Sequence, residues 1–248
     1  MTLPRNLAAL SLVMTSLATG TEEKIFHSGP AQVALVELFT SEGCSSCPPA
    51  EKWLNDLRDA PGLWRDFVPV AFHVNYWDHL GWKDALAAKA FTARQHTYAG
   101  AWRASSVYTP CFVRNGAEWR PRGAAPEGLG AANAGHLTLR WRAGENRCVI
   151  EFTSAEAGKD YDVSVALLGG GIVNDVRRGE NSGRTLRHEF VALRLETTAL
   201  TAGGNGTHTA STTLSPRDEI KTGRRAVAAW VTRRDSLTPL QAAGGWIE

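Results

Sequence analysis

Two cysteines three positions apart, Cys44 and Cys47, carry the clearest chemical signal of this sequence. They follow an apolar run of strand length and precede Pro48, at a point where a helix can begin. The first amides of a helix have no intrahelical partner, and they stabilise a thiolate. The spacing therefore predicts a thiol–disulfide redox pair, with Cys44 as the exposed attacking thiol and Cys47 as the resolving one.

Two other interpretations of this pair stay open. One is half of a zinc site, which would need two further ligands at a suitable spacing. The other is an inert structural disulfide. We favour redox exchange, because the strand before the pair and the helix after it are both of the kind that this chemistry requires. We predict no resident metal and no cofactor.

The other two cysteines give weaker signals. Cys111 could act as a third thiol near the pair or join a soft-metal site, but the commoner role is that of a small buried hydrophobe. Cys148 alternates with Ile150 and Phe152, so we expect it to be buried and inert. Four cysteines in 248 residues are too few for a disulfide-stapled scaffold, so each one is interpreted singly.

Several polar residues follow a later apolar run that ends near residue 74. His73, Asp78 and His79 lie where α/β sheets place ligands, and they could bind a metal or assist proton transfer. Capping loops by hydrogen bonds to the backbone is the commoner role. His188 alternates outward in a later strand-length segment, and we expect it at the surface.

The elements that must position these residues follow from apolar periodicity. Before residue 134 the pattern predicts strands over 33–39, 67–74 and 107–113, helices from residue 48 and over 83–102, and a hairpin at Asn115–Gly116. After Gly135 it predicts only strands, over 136–142, 147–153, 161–168, 184–196, 206–214 and 224–233. We therefore expect an α/β domain over residues 25–133 and an antiparallel β-sandwich domain over residues 135–248.

The first 20 residues have the order of a signal peptide. Arg5 precedes an apolar run over residues 7–18, and Ala18-Thr19-Gly20 is a small-x-small cleavage site. The run is shorter than the roughly 20 residues of a transmembrane helix. We expect an exported chain, periplasmic or secreted, with no membrane span; the alternative is a frayed N-terminal helix.

Charged residues nearly balance, with 27 basic against 25 acidic, and they are spread along the chain. A nucleic-acid partner would require a concentrated basic stripe. The sequence therefore predicts no nucleic-acid partner, and it gives no indication of the oligomeric state.

Several segments together resemble the secreted family known as domain of unknown function 1223. They are Cys44-Ser45-Ser46-Cys47-Pro48-Pro49-Ala50 with the strand before it, residues 72–84, 91–95 and 107–110, and the later Arg178-Gly179-Glu180-Asn181 with residues 183–188. The resemblance covers almost the whole mature chain. It implies an α/β thioredoxin-like fold for residues 25–133, but the family has no settled activity to carry over.

The wider resemblance to thioredoxins implies roles for further residues. Thr109-Pro110 resembles the cis-proline loop that packs beside the disulfide and offers backbone groups to a substrate. Glu37 would be the buried acid that moves protons for the resolving cysteine; a salt bridge at an exposed strand end is the alternative. We expect Trp77 and Tyr108 to line the substrate groove, with core packing as the default alternative for Trp77.

These residues predict an exported thiol–disulfide oxidoreductase that acts on protein thiols or disulfides. Cys44 would form a mixed disulfide and Cys47 would resolve it. The alternative is a non-catalytic thioredoxin-like binding module or a copper-handling protein. The direction of exchange does not follow from Ser45-Ser46, because neither serine is bulky or charged.

Overall fold

The computed structural model describes residues 22–248 apart from 124, 131–133, 155, 157 and 158, so the predicted signal peptide lies outside the described residues. Over these residues the chain forms two α-helices, α1 (Pro48–Asp56) and α2 (Lys89–Trp102). It also forms fifteen strands: β1 (Glu23–His27), β2 (Ala34–Thr40), β3 (Phe67–His73), β4 (Cys111–Arg114), β5 (Ala117–Trp119), β6 (His136–Arg142), β7 (Arg147–Thr153), β8 (Tyr161–Gly170), β9 (Ile172–Asp175), β10 (Thr185–His188), β11 (Val191–Ala199), β12 (Thr201–Ala202), β13 (Thr207–Thr213), β14 (Arg224–Arg233) and β15 (Pro239–Trp246).

The centre of the molecule is an eight-stranded mixed sheet, the large sheet, with strand order β15-β14-β8-β11-β3-β2-β4-β5. Strands β2 and β3 run parallel, from the pair Ala34 and Phe67 to the pair Thr40 and His73, and α1 lies in the connection between them. Every residue of both strands is buried. Parallel strands covered on both faces need such continuous apolar runs.

A second, antiparallel sheet has strand order β1-β6-β7-β13-β12. Its strand β6 alternates between buried and more exposed residues, because one face packs on the large sheet and the other faces outward. The core between the sheets includes Leu139 and Ile150 from the second sheet and Val163 and Val227 from the large one. Strands β9 and β10 form a separate hairpin.

The predicted fold class, an α/β thioredoxin-like domain followed by an antiparallel β-sandwich, is wrong. The described chain is mainly β-sheet, and both sheets combine strands from either side of residue 134. Val191 of β11 pairs in parallel with Ala71 of β3, while β1 joins the second sheet beside β6. The domain limits themselves stay a prediction. A strand with an apolar face can bury that face in any matching sheet, so periodicity alone does not tell which strand is its partner.

Smaller differences have local causes. The strand predicted over 184–196 is two strands, separated at Phe190, where φ is +59°. The helix predicted over 83–102 begins only at Lys89, since the side chain of Asp84 accepts hydrogen bonds from the backbone of Glu42 and Leu86 and holds the preceding segment as a turn. In the described part of the chain, neither helix is long and apolar enough to cross a membrane.

Candidate functional site

Cys44 and Cys47 form a disulfide at the start of α1, with their Cα atoms 5.5 Å apart. Cys47 stands immediately before the helix, and its carbonyl accepts the amides of Ala50 and Glu51. Pro48 and the proline after it fill the first two helical positions, where the missing amide protons have no intrahelical role. The loop that leads into a helix is present as predicted.

The predicted exposure of Cys44 is wrong. Both cysteines of the pair have an exposed fraction of 0%, whereas Ser45 and Ser46 between them are exposed. The disulfide therefore lies just below a surface formed by its own two-residue loop.

Part of the cover comes from residues 178–181, called here the cover loop, which lie between β9 and β10. Asn181 is fully buried, and its Nδ2 donates to the carbonyls of Glu42, at 2.9 Å, and Cys44, at 2.8 Å. Glu180 accepts the amide of Ser45 through Oε2 at 3.0 Å. The sequence offers no sign of this contact, because the partners lie more than 130 positions apart.

Trp77 connects the loop before the disulfide to the predicted substrate residues. Its Nε1 donates to Thr109 Oγ1 at 2.8 Å. A Cβ at Gly43 would lie 3.0 Å from the Cβ of Trp77, a tight contact, so the close approach favours glycine. The bond between Thr109 and Pro110 is cis, and Tyr108 is exposed beside it. The structure therefore places Trp77 between the loop before the disulfide and Thr109.

Glu37 is buried, but its side chain lies on the face of β2 that α2 covers, whereas α1 covers the other face. Arg94 Nε donates to Glu37 Oε1 at 2.6 Å, and the hydroxyl of Tyr98 donates to Oε2 at 2.5 Å. Burial and the nearby carboxylate raise the pKa of Tyr98 well above its usual value. The predicted proton transfer for the cysteines stays a prediction, and the salt bridge is present but buried.

A buried group of five titratable side chains, called here the acid–histidine cluster, lies at the start of α1. Its members are Glu42, Glu51, His73, Asp84 and His188, and none has an exposed fraction above 5%. They come from the loop before α1, α1 itself, the end of β3, the turn before α2, and β10. Only the folded chain assembles them.

Each histidine ring of the cluster is held by carboxylates. His73 Nδ1 lies 2.7 Å from Asp84 Oδ2, and His188 Nε2 lies 3.1 Å from Glu42 Oε1. His188 Nδ1 lies 2.9 Å from Glu51 Oε2, close enough for an ion pair but without the alignment of a hydrogen bond. The two rings meet edge to face, with centroids 5.0 Å apart.

The charges of the cluster outweigh the effect of burial. Burial alone would lower the pKa of His188, but Glu51 and Glu42 raise that pKa to about 10. Asp84 likewise raises the pKa of His73 against burial. Burial would raise the carboxyl pKa values, but the histidines hold the pKa of Glu42, Glu51 and Asp84 below the usual range. The pKa values of the histidines and of the carboxyls are therefore shifted in opposite directions, as expected for groups that attract each other.

The surface position predicted for His188 is wrong. His188 and Leu186 share the inner face of β10, which packs against α1, so the histidine is buried. The signal that could have indicated this is the two-residue spacing from an apolar neighbour. Of the polar residues after β3, Asp78 accepts the amide of Asp84 and His79 is exposed.

Cys111 and Cys148 are buried and form no disulfide among the described residues. Burial raises the pKa of the Cys111 thiol to about 11 and that of the Cys148 thiol to about 12. Both cysteines therefore lie in environments that suit a small apolar side chain. This is the result expected for Cys148, and it agrees with the commoner role considered for Cys111.

Comparisons with known proteins match the chain to one family model and relate its fold to solved structures. A family model described as "Protein of unknown function (DUF1223)" matches residues 35–232. A crystal structure of a protein from Agrobacterium tumefaciens shares 23% identity and a TM-score of 0.61, over 88% of this chain and 95% of that one. HBP35 of Porphyromonas gingivalis shares 15% identity and a TM-score of 0.56, over 88% of this chain and 76% of that one. These two likenesses show the fold alone. No curated protein matches the chain.

Proposed function

Because the chain belongs to the DUF1223 family, whose function is unknown, its activity has to be inferred from its own residues, and we propose that it is a thiol–disulfide oxidoreductase acting on protein thiols or disulfides. The observation that carries this proposal is the Cys44–Cys47 disulfide at the start of α1, with Ser45 and Ser46 exposed above it. We also propose export from the cytoplasm, since disulfides persist in oxidising compartments.

The proposed exchange proceeds through a mixed disulfide. In the reducing direction, the Cys44 thiolate attacks a substrate disulfide; one sulfur–sulfur bond forms as another breaks, and a substrate thiolate leaves. The Cys47 thiolate then attacks Cys44, which releases the second substrate sulfur. Two electrons pass from the cysteine pair to the substrate, whose two thiolates take up protons from water. The oxidising direction is the reverse.

Two contacts support a reactive Cys44. Its Sγ lies 3.3 Å from the hydroxyl of Ser46, which can donate a hydrogen bond to a thiolate. Trp77 packs against Gly43, the residue before Cys44, and donates to Thr109, so it offers an apolar surface next to the cysteine loop. Access requires a local opening, because both cysteines are fully buried, and the cover loop is bonded to the backbone of Cys44 and Ser45.

The test is trapping with the Cys47→Ser variant and a defined disulfide-bonded peptide. We expect a stable mixed disulfide at Cys44, detected as a mass increase equal to one reduced peptide strand. The matched control is Cys44→Ser, in which the remaining thiol is the resolving one and trapping should be much weaker. Equal labelling of both variants, or none in Cys47→Ser, would contradict the proposal.

A structural disulfide is the second candidate, and the full burial of both sulfurs favours it. The reduction potential separates the two. A structural disulfide has a potential below about −300 mV, whereas exchange catalysts lie between about −270 and −120 mV. Equilibration of the whole protein with glutathione or dithiothreitol buffers, followed by alkylation and mass measurement, gives this value.

A further inference from the structure

Three side chains of the acid–histidine cluster present ligand atoms to one point. Glu51, His73 and His188 each present one ligand atom, a carboxylate oxygen or a ring nitrogen, and these three atoms lie within 4.8 Å of one another. We propose that these three residues bind a divalent first-row transition-metal ion, with zinc as the best match. Ligand atoms about 2.0–2.1 Å from a tetrahedral zinc ion lie about 3.3 Å apart. The widest spacing in the site therefore has to shrink by at most about 1.5 Å, whereas Glu51 Oε2 and His188 Nδ1, which are 2.9 Å apart, have to separate slightly.

The two proposed nitrogen ligands are buried atoms that lack a hydrogen-bond partner. Among the described residues, neither His73 Nε2 nor His188 Nδ1 has one. Buried polar atoms in proteins nearly always have a partner, and an exception calls for an explanation such as a bound ion. A metal ion between the rings would satisfy both nitrogens at once, and binding would release to the solvent any proton that these atoms carry.

The second nitrogen of each histidine ring faces a carboxylate, which is the usual arrangement in metal sites. His73 Nδ1 faces Asp84 Oδ2 at 2.7 Å, and His188 Nε2 faces Glu42 Oε1 at 3.1 Å. Metal-ligating histidines usually donate their second ring N–H to such a carboxylate, which fixes the tautomer and aims the free nitrogen at the metal. Both histidines of the cluster share this arrangement.

The carboxylate ligand is oriented in the same way. Glu51 accepts a hydrogen bond from Thr40 Oγ1, at 2.5 Å, on its other oxygen, Oε1. The hydroxyl leaves Oε2 to face the histidines. All three proposed ligands are therefore held by a second contact that leaves one donor atom directed into the site.

The donor set and the charge select the kind of ion. Two imidazole nitrogens and one carboxylate oxygen are ligands that zinc binds, with a fourth position open to water. Magnesium and calcium prefer six or more oxygen ligands, which this site does not offer among the described residues. Three buried carboxylates, on Glu42, Glu51 and Asp84, surround the two rings, so a divalent cation is favoured.

Two of the three proposed ligands border a groove at the surface. A groove of about 490 Å³ lies between α1 and the β9–β10 hairpin, and both Glu51 and His188 are among the residues that line it. The groove lies on the α1 side of the cluster. The ion would join α1, β3 and β10, so binding should also raise the thermal stability of the protein.

The test is titration of the chelator-treated, disulfide-bonded full chain with Zn²⁺ by calorimetry, and with Co²⁺ by visible absorption, which reports the ligand geometry. We expect one ion per chain and a rise in Tm. Glu51→Gln keeps the hydrogen bond to Thr40 but should weaken Zn²⁺ binding at least about 100-fold. Asp84→Asn removes the carboxylate that supports His73 and also alters the acceptor of the Glu42 and Leu86 amides, so in folded protein it should weaken Zn²⁺ binding about 10- to 100-fold.

The controls separate this site from other metal-binding groups. His79→Gln removes an exposed histidine near β3 and should bind Zn²⁺ as the unaltered protein does. The Cys44→Ser, Cys47→Ser double variant should also bind normally, so this result does not depend on thiol exchange. His188→Gln is the second ligand variant if Glu51→Gln does not fold. The proposal fails if the folded protein binds no Zn²⁺ at micromolar concentration, or if the folded ligand variant binds as tightly as His79→Gln.

Discussion

At the scale of single residues, Glu37 shows how this fold holds a buried charge. Its carboxylate receives Arg94 and the hydroxyl of Tyr98, and the Arg94 guanidinium also lies over the ring of Trp230, 5.1 Å from the centroid. An unpaired carboxylate in this apolar environment would be strongly unfavourable. Arg94 and Tyr98 both belong to α2, so one helix supplies both hydrogen-bond donors that stabilise the buried carboxylate of Glu37 on β2.

Tyr98→Phe tests this compensation. The change leaves Glu37 Oε2 buried without its donor, so we expect a loss of about 1–3 kcal/mol in the free energy of unfolding, measured with urea. Tyr108→Phe is the matched control, because the Tyr108 hydroxyl bonds to Glu118 at the exposed surface. Its effect should stay within about 0.5 kcal/mol. Equal losses in both variants would mean that the buried hydrogen bond adds nothing specific.

At the scale of elements, the cover loop links the β9–β10 hairpin to the start of α1. Asn181 donates from one amide to two carbonyls, and Glu180 accepts from the loop of the disulfide. The same hairpin carries His188 into the acid–histidine cluster. Opening this hairpin would therefore expose the disulfide and separate His188 from Glu42 and Glu51 together.

Asn181→Ala should make the disulfide easier to reach. The change leaves the carbonyls of Glu42 and Cys44 without their donor. The free energy needed to open the cover loop should therefore fall by about 1–2 kcal/mol. The rate of reduction by dithiothreitol, measured well below the unfolding transition, should rise about 5- to 30-fold. Ser182→Ala, at an exposed neighbouring position, is the control. If both variants are reduced at the rate of the unaltered protein, the cover loop does not control access.

At the scale of the whole molecule, the large sheet makes the two halves of the chain depend on each other. One core cluster packs Phe39 and Phe72 of β2 and β3 with Ala166 of β8 and Trp230 of β14. Removing either half would expose apolar faces of the strands in the other. Strands from before and after residue 134 therefore pair in the same sheet, and their side chains pack in the same core.

We predict that the chain from residue 22 to 248 unfolds in one cooperative transition. Tryptophan fluorescence and far-ultraviolet circular dichroism should give coincident urea curves, because the core that both report on is shared. Residues 135–248 expressed alone should show no cooperative transition. A sharp transition for that fragment would show instead that the predicted β-sandwich domain folds independently.

The candidate site could be predicted only in part. The pair Cys44 and Cys47 at a helix start follows from local sequence, because residue spacing and helix geometry suffice to place them. The burial of the pair and the partners of His188 do not follow, since Asn181 and Glu42 reach them across the fold. An interaction between residues more than a hundred positions apart leaves no periodic trace in either segment.

By itself the sequence determined the strands β2 and β3, the start of α1 and the turn at Asn115 and Gly116, because these depend on apolar periodicity, proline geometry and backbone freedom within a few residues. Tertiary structure alone decided that β11 pairs with β3, that the cover loop bonds to the backbone of the buried Cys44, and that five titratable side chains meet at α1. Strand partners and buried polar contacts are selected by packing among distant segments, and that selection exists only in the folded chain.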